Sequence, residues 1–200
     1  MENVNGKELS PRKFVMVKEP VPKKPNKVLD FVLEIFHTIM VFVVTVGVVL
    51  LFITFVGQRT VVSGSSMEGN LSDGDNLFVN KLEYKFSDPE RFDVIVFPHG
   101  EEYYIKRIIG LPGEKVLIDV NGSIFINGEK LDESYGREVI KDAGTFSREY
   151  QLAADEYFVL GDNRNNSLDS RFAEVGPVKA DNIIGHAIFR LYPFDKINML

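Results

Sequence analysis

The stretch Val116–Ile126, VLIDVNGSIFI, decides how the larger part of this 200-residue chain is read. Two short apolar runs flank Asn121-Gly122. That dipeptide suits a primed hairpin turn, in which both central residues take positive φ. A second turn signal, Asn127-Gly128, follows at once. The same grammar extends outward in both directions. Leu77-Phe78-Val79, Val94-Ile95-Val96-Phe97, Tyr103-Tyr104-Ile105, Tyr157-Phe158-Val159-Leu160, Ile183-Ile184 and Ala187-Ile188-Phe189 are short runs rich in β-branched and aromatic residues. Turn signals separate many of them at intervals of roughly eight to twelve residues, which predicts an all-β domain of barrel or sandwich type. Gly110-Leu111-Pro112-Gly113 ends one of these strands. Residues 129–156 are polar and weakly patterned and read as a loop-rich insertion.

Upstream the pattern changes. Ile39 to Val56 is 18 residues without a charge. A helix of that length is about 27 Å long, close to the thickness of bilayer hydrocarbon. Seven Lys/Arg stand against four acids in residues 1–30, and Arg59 is the sole base in the two dozen residues after the span. The positive-inside rule then puts residues 1–30 in the cytoplasm and residues 58–200 on the other face. A cleaved signal peptide is the competing reading. The long basic region and the length of the apolar run favour an uncleaved anchor. The expected organisation is a disordered tail over 1–30, a transmembrane anchor over 31–57 and a β-rich body over 58–200.

Composition narrows the function. The body carries 16 Lys/Arg and 24 Asp/Glu, a net of −8. An acidic body argues against a nucleic-acid partner, since phosphate binding needs a basic face. With no cysteine, thiolate catalysis, disulfides and Cys-based zinc sites are excluded. The histidines are His37, His99 and His186, without metal-ligand spacing. No motif joins any of them to a serine in a triad, although a triad through His186 stays formally open. No metal or cofactor is implied.

A serine hydrolase without a histidine needs another base. Ser66 sits in Gly64-Ser65-Ser66-Met67, a run of small residues that exposes a hydroxyl and lets backbone N–H groups face a developing oxyanion. Lys106 sits in Tyr104-Ile105-Lys106-Arg107-Ile108-Ile109-Gly110. Strand alternation puts Tyr104, Lys106 and Ile108 on one face. Such flanks desolvate the lysine and lower its pKa, and a base must be neutral to take a proton. Moving it from about 10.4 to about 8 costs roughly 3 kcal/mol. A snorkelling edge lysine is the plainer reading of that segment alone. The polar block Gly161–Arg171, GDNRNNSLDSR, directly follows the strand YFVL and can build a rigid network. Asp169 and Arg171, two apart, can pair across a turn.

In this order behind a span, these blocks resemble a bacterial type I signal peptidase over roughly residues 40–194. Ser66-Met67-Glu68-Gly69-Asn70-Leu71 is similar to the family's Ser-Met-x-Pro-Thr-Leu, and both YIKRIIGLPGE (Tyr104–Glu114) and GDNRNNSLDSR are close to family blocks. The resemblance implies a membrane-anchored serine endopeptidase that removes signal peptides from exported preproteins after small residues at −1 and −3. It implies Ser66 as nucleophile, Lys106 as general base, and Ser167 as a hydrogen-bonding partner that orients the lysine. Asp169 and Arg171 would form a supporting ion pair. The Ser66 N–H would supply part of an oxyanion hole. Val62, Met67, Leu71, Tyr104 and Ile105 match positions lining the substrate pockets. Gly69 and Asn70 depart from the usual Pro-Thr and are expected to loosen the loop after the nucleophile. Two rivals remain at this stage: a self-cleaving repressor-type Ser-Lys protease, which would carry a soluble DNA-binding domain in place of the span, and an anchored β-domain that binds secreted chains without cutting.

Overall fold

The computed structural model describes residues 27–136 and 138–200. The expected tail over 1–30 lies outside them except for its last four residues, which begin a helix. Helix α1, Lys27–Phe55, carries an 18-residue window of mean hydropathy 2.8 and buries none of its side chains. A helix apolar on every side needs an apolar surround to cover it. Its length and composition fit a single-pass membrane anchor. The expected anchor ran to residue 57, but Gly57 already belongs to a strand. The chain divides into two compact units inside α1, one ending at Thr45 and the other being Val46–Leu200.

The second unit contains twelve strands among the described residues: β1 Gly57–Val61, β2 Asn76–Asn80, β3 Val94–His99, β4 Glu102–Gly110, β5 Lys115–Ile118, β6 Ile124–Ile126, β7 Glu129–Lys130, β8 Tyr150–Gln151, β9 Glu156–Leu160, β10 Val178–Lys179, β11 Gly185–Tyr192 and β12 Asn198–Met199. They form two antiparallel sheets. The larger has the order β1-β2-β11-β3-β4-β9-β10, with β12 added to β11, and the smaller has the order β7-β6-β5-β8. The all-β expectation therefore holds, with open sheets in place of a closed barrel.

Both Asn-Gly signals make hairpins, by different turns. In β5–β6, Ile118 pairs with Ile124, the Gly122 N–H bonds to Asp119 O at 2.9 Å, and Gly122 sits at φ +76° while Asn121 stays at negative φ. The Asp119 N–H bonds to Ser123 O at 2.9 Å, so Val120-Asn121-Gly122 is a three-residue loop closed by a left-handed glycine, not the two-residue primed turn expected there. In β6–β7, Ile126 pairs with Glu129, and Asn127 and Gly128 both take positive φ, so the primed turn is here. Two strand readings also shift. Ile183-Ile184 is a connector that precedes β11. β1, GQRTV, is a strand that its mixed polar sequence concealed.

Side-chain alternation along β4 places the chemistry. Ile105 packs with Val62, Met67 and Leu71, whereas Tyr104 and Ile108 join Ile95 and Val159 in another cluster. Lys106 pairs in register with Ile95 and so shares the Tyr104–Ile108 face. A third cluster, centred on Phe146, Phe158 and Ile118, fills the space between the small sheet and β4–β9.

Candidate active site

Ser66 heads a tight turn. Glu68 N–H bonds to Ser65 O at 3.1 Å, Asn70 N–H to Met67 O at 3.2 Å and Leu71 N–H to Met67 O at 2.8 Å. Met67 and Leu71 point into the core and anchor the turn, which leaves Ser66 half-buried at the surface. The opposite wall is β4. Lys106 is 3 % exposed, and its Nζ lies 2.8 Å from Ser66 Oγ. Nζ also donates to Ile105 O at 3.2 Å and sits 4.9 Å from the Tyr104 ring centre. Burial lowers the Lys106 pKa to about 8, against the smaller opposing pull of the Asp169 and Asp162 carboxylates. A substantial neutral fraction at mildly alkaline pH is what a lysine base requires.

The block Gly161–Arg171 holds these two walls in place. Asn163 N–H donates to Ser66 O at 3.0 Å, Asn163 Nδ2 to Ser65 O at 3.0 Å and Asn166 Nδ2 to Ser65 Oγ at 2.7 Å. Gly161 passes so close that a Cβ there would clash with Ser167 Oγ and the Ser66 carbonyl. Asp169 and Arg171 pair through two bonds, Nε–Oδ1 at 2.8 Å and Nη2–Oδ2 at 2.9 Å, both fully buried. Asp169 Oδ2 also accepts the Gly161 N–H at 3.1 Å. Arg171 reaches the carbonyls of Arg164 and Asp142. A second buried pair, joined by no motif in the sequence, lies close by. Arg107, next to the lysine, grips Asp162 by Nε–Oδ1 at 3.0 Å and Nη2–Oδ2 at 2.8 Å. Asn70 Nδ2 donates to the same carboxylate at 2.8 Å. The loop expected to be loosened by Gly69-Asn70 is thus tied down, with Gly69 at φ +114°, a value proline cannot adopt.

A groove of about 510 Å³ runs past the Ser66–Lys106 contact. Residues 60–67 form one side and residues 102–106 the other, with Asn166 and Leu168 at the end. Val62, Met67, Tyr104 and Ile105 all line it. Leu71 does not; it is 1 % exposed in the core beneath the turn, because the turn's helical hydrogen bonds carry it inward. Ser167 is also placed differently from expectation. Its Oγ is buried without a hydrogen-bond partner among the described residues, so the expected bond to Lys106 is not made. His186 is engaged elsewhere, 3.1 Å from Glu83 and stacked on Tyr84, which takes it out of a triad with Ser66.

A serine hydroxyl against a desolvated lysine, in an open groove flanked by two extended segments, is the constellation of a serine peptidase. Comparison with known sequences agrees. Residues 35–192 match the family described as signal peptidase, peptidase S26, and the chain belongs to that family. It is 39 % identical over 162 residues to a signal peptidase I of Leptolyngbya laminosa, covering 74 % of each chain. It is 35 % identical over 187 residues to a signal peptidase I P of Bacillus subtilis subsp. natto, covering 88 % of this chain and 95 % of that one. Among solved structures it matches a signal peptidase I from Enterococcus faecalis V583 with a TM-score of 0.40 and 32 % identity, over 50 % of this chain and 97 % of the other.

Proposed function

We propose that this chain is a membrane-anchored serine endopeptidase that removes signal peptides from exported preproteins, with Ser66 as nucleophile and Lys106 as general base. The observation that carries the reading is the 2.8 Å contact between Ser66 Oγ and a buried Lys106 Nζ whose pKa lies at about 8. The substrate segment docks extended between residues 60–63 and β4, adding a strand to the groove. The apolar walls at Val62, Met67, Tyr104 and Ile105 take small side chains at −1 and −3. Neutral Lys106 accepts the Ser66 proton as Oγ attacks the −1 carbonyl. The Ser66 N–H, which has no acceptor among the described residues, faces the developing oxyanion. Collapse of the tetrahedral centre passes the lysine's proton to the leaving amine and forms the acyl-enzyme. Lys106 then deprotonates the water that frees Ser66. The Asp169–Arg171 pair holds the 161–171 block against both walls, and Ser167 packs beside Gly161.

The basic flank favours residues 1–30 in the cytoplasm, the apolar helix across the bilayer and the 58–200 body on the outer face. An anchor would keep the groove near the membrane-held substrate and raise its effective concentration. The acidic body speaks against nucleic acid as a partner.

The test is cleavage of a preprotein by the full chain in detergent. The wild type should release a fragment of signal-peptide length, and Ser66→Ala should fall by about a thousandfold or more. Equal cutting by Ser66→Ala contradicts the reading. Protease accessibility of 1–30 and 58–200 in sealed vesicles tests the orientation.

A further inference from the structure

We infer that Asn70 is a positioning residue for the Ser66–Lys106 reaction, acting by donating its amide to Asp162; this rests on the proposed catalytic pair. The bonds made by Asn163 and Asn166 grip the Ser66 turn at its start, at residues 65 and 66. Its far end is held by the packing of Leu71 in the core and by the side-chain hydrogen bond from Asn70 Nδ2 to Asp162 Oδ2 at 2.8 Å. Asp162 is fully buried and also accepts Nε and Nη2 of Arg107. Arg107 is covalently next to Lys106, and Lys106 returns to Ser66. The bonds therefore close a ring: Ser66 turn, Asn70, Asp162, Arg107, Lys106, Ser66. A ring of this kind adds a polar tie at the far end of the turn, so that the distance between nucleophile and base is set from both ends.

The backbone is shaped for this bond. Gly69 at φ +114° reverses the chain so that the next side chain folds back under the turn, and a residue with a Cβ is strained there. The donor identity also matters. The Asp162 carboxylate accepts only, so a donor is required opposite it and an acceptor repels it. An angstrom of slack between reacting groups suffices to lower the rate by about a hundredfold. The groove walls at Val62, Tyr104 and Ile105 lie outside the turn that Asn70 ties, so substrate binding changes less than the chemical step.

Three substitutions test this, each assayed as the full chain in detergent at pH 8 on one preprotein and normalised to folded enzyme by circular dichroism. Asn70→Ala should lower kcat by about tenfold or more with KM within about twofold. Asn70→Asp keeps the shape but turns the donor into an acceptor, and should fall below Asn70→Ala. Replacing a side chain that only stabilises the fold would lower the folded fraction and leave kcat per folded molecule unchanged. Should Asn70→Ala not fold, Asn70→Ser replaces it in the same comparison. Asn70→Asp equal to wild type, or milder than the truncation, overturns the inference, as does a loss confined to KM. Ser66→Ala in the same series separates the two readings: if it cuts, the catalytic assignment fails, and if it is inactive, the Asn70 result stands alone.

Discussion

The two sheets of the body divide the labour unequally. Every residue lining the groove comes from β1, β4 or the loops that follow β1 and β9, all parts of the larger sheet and its connections. The small sheet, β5 to β8, contributes none. It supplies instead Val116, Ile118, Ile124 and Ile126, which with Phe146 and Leu152 from the segments flanking β8 pack against Ile109, Phe158 and Leu160 of β4 and β9. The larger sheet carries buried charges and a lysine held off its ordinary pKa; the small sheet is conventional hydrophobic packing. The contrast teaches that the site is kept at a cost in stability, and that apolar packing elsewhere offsets it.

The sharpest way to break this contrast is Lys106→Met. Activity should fall by about a thousandfold or more, yet the fold should become more stable. The sign follows from the depressed pKa. Below about 8 the lysine is charged in both the folded and unfolded chain, and the folded site bears the full burial penalty, on the order of 3 kcal/mol. As pH rises from about 8 through the ordinary lysine range, the unfolded chain also loses its proton and the penalty disappears. The melting-temperature advantage of Lys106→Met should therefore be largest near pH 7 and shrink above pH 10. A variant less stable than wild type at pH 7 would contradict the penalty.

A matched pair of glycines sharpens the comparison. Gly161→Ala drives a methyl group into the Ser66 carbonyl and Ser167, and should lower kcat by about a hundredfold per folded molecule. Gly122→Ala strains the φ +76° tip of the β5–β6 loop and clashes with the Ile140 backbone. It should cost about 2 kcal/mol or more of stability while the folded fraction keeps its kcat. Melting curves beside steady-state kinetics distinguish the two. Phe146→Ala, in the centre of the small-sheet cluster, should cost about 3–5 kcal/mol with the same indifference of kcat. The smallest effect is expected for Val120→Ser. Val120 is fully exposed at the hairpin tip, and both stability (within about 0.5 kcal/mol) and activity should hold.

Much of this was legible in the sequence, for identifiable reasons. The strands β2, β3, β5, β6 and β9 are apolar enough to announce themselves, and both Asn-Gly dipeptides mark real hairpins. The difference between their turns was not readable, because φ at Asn121 depends on whether Asp119 accepts the Gly122 N–H. β1 was hidden because GQRTV has one large apolar side chain, Val61, and lies at the sheet edge, so it offers no apolar alternation to read. At the site, Ser66 and Lys106 stood out through their small and apolar neighbours. The residues that hold them apart or together did not, since Asn70 and Asp162 are 92 positions apart and meet only through the fold. Leu71 was assigned to the groove by its place in a motif, and the turn's own hydrogen bonds send it into the core. Ser167 was expected on the lysine for the same reason, and its hydroxyl lies against Gly161 instead.

The pairing of a serine with a desolvated lysine is tested most directly by the pH dependence of kcat/KM for the intact chain on a preprotein. The rate should rise with pH along a single limb of apparent pKa about 8, set by Lys106 losing its proton. A flat profile, or a limb in the histidine range near about 6.5, would contradict Lys106 as the base.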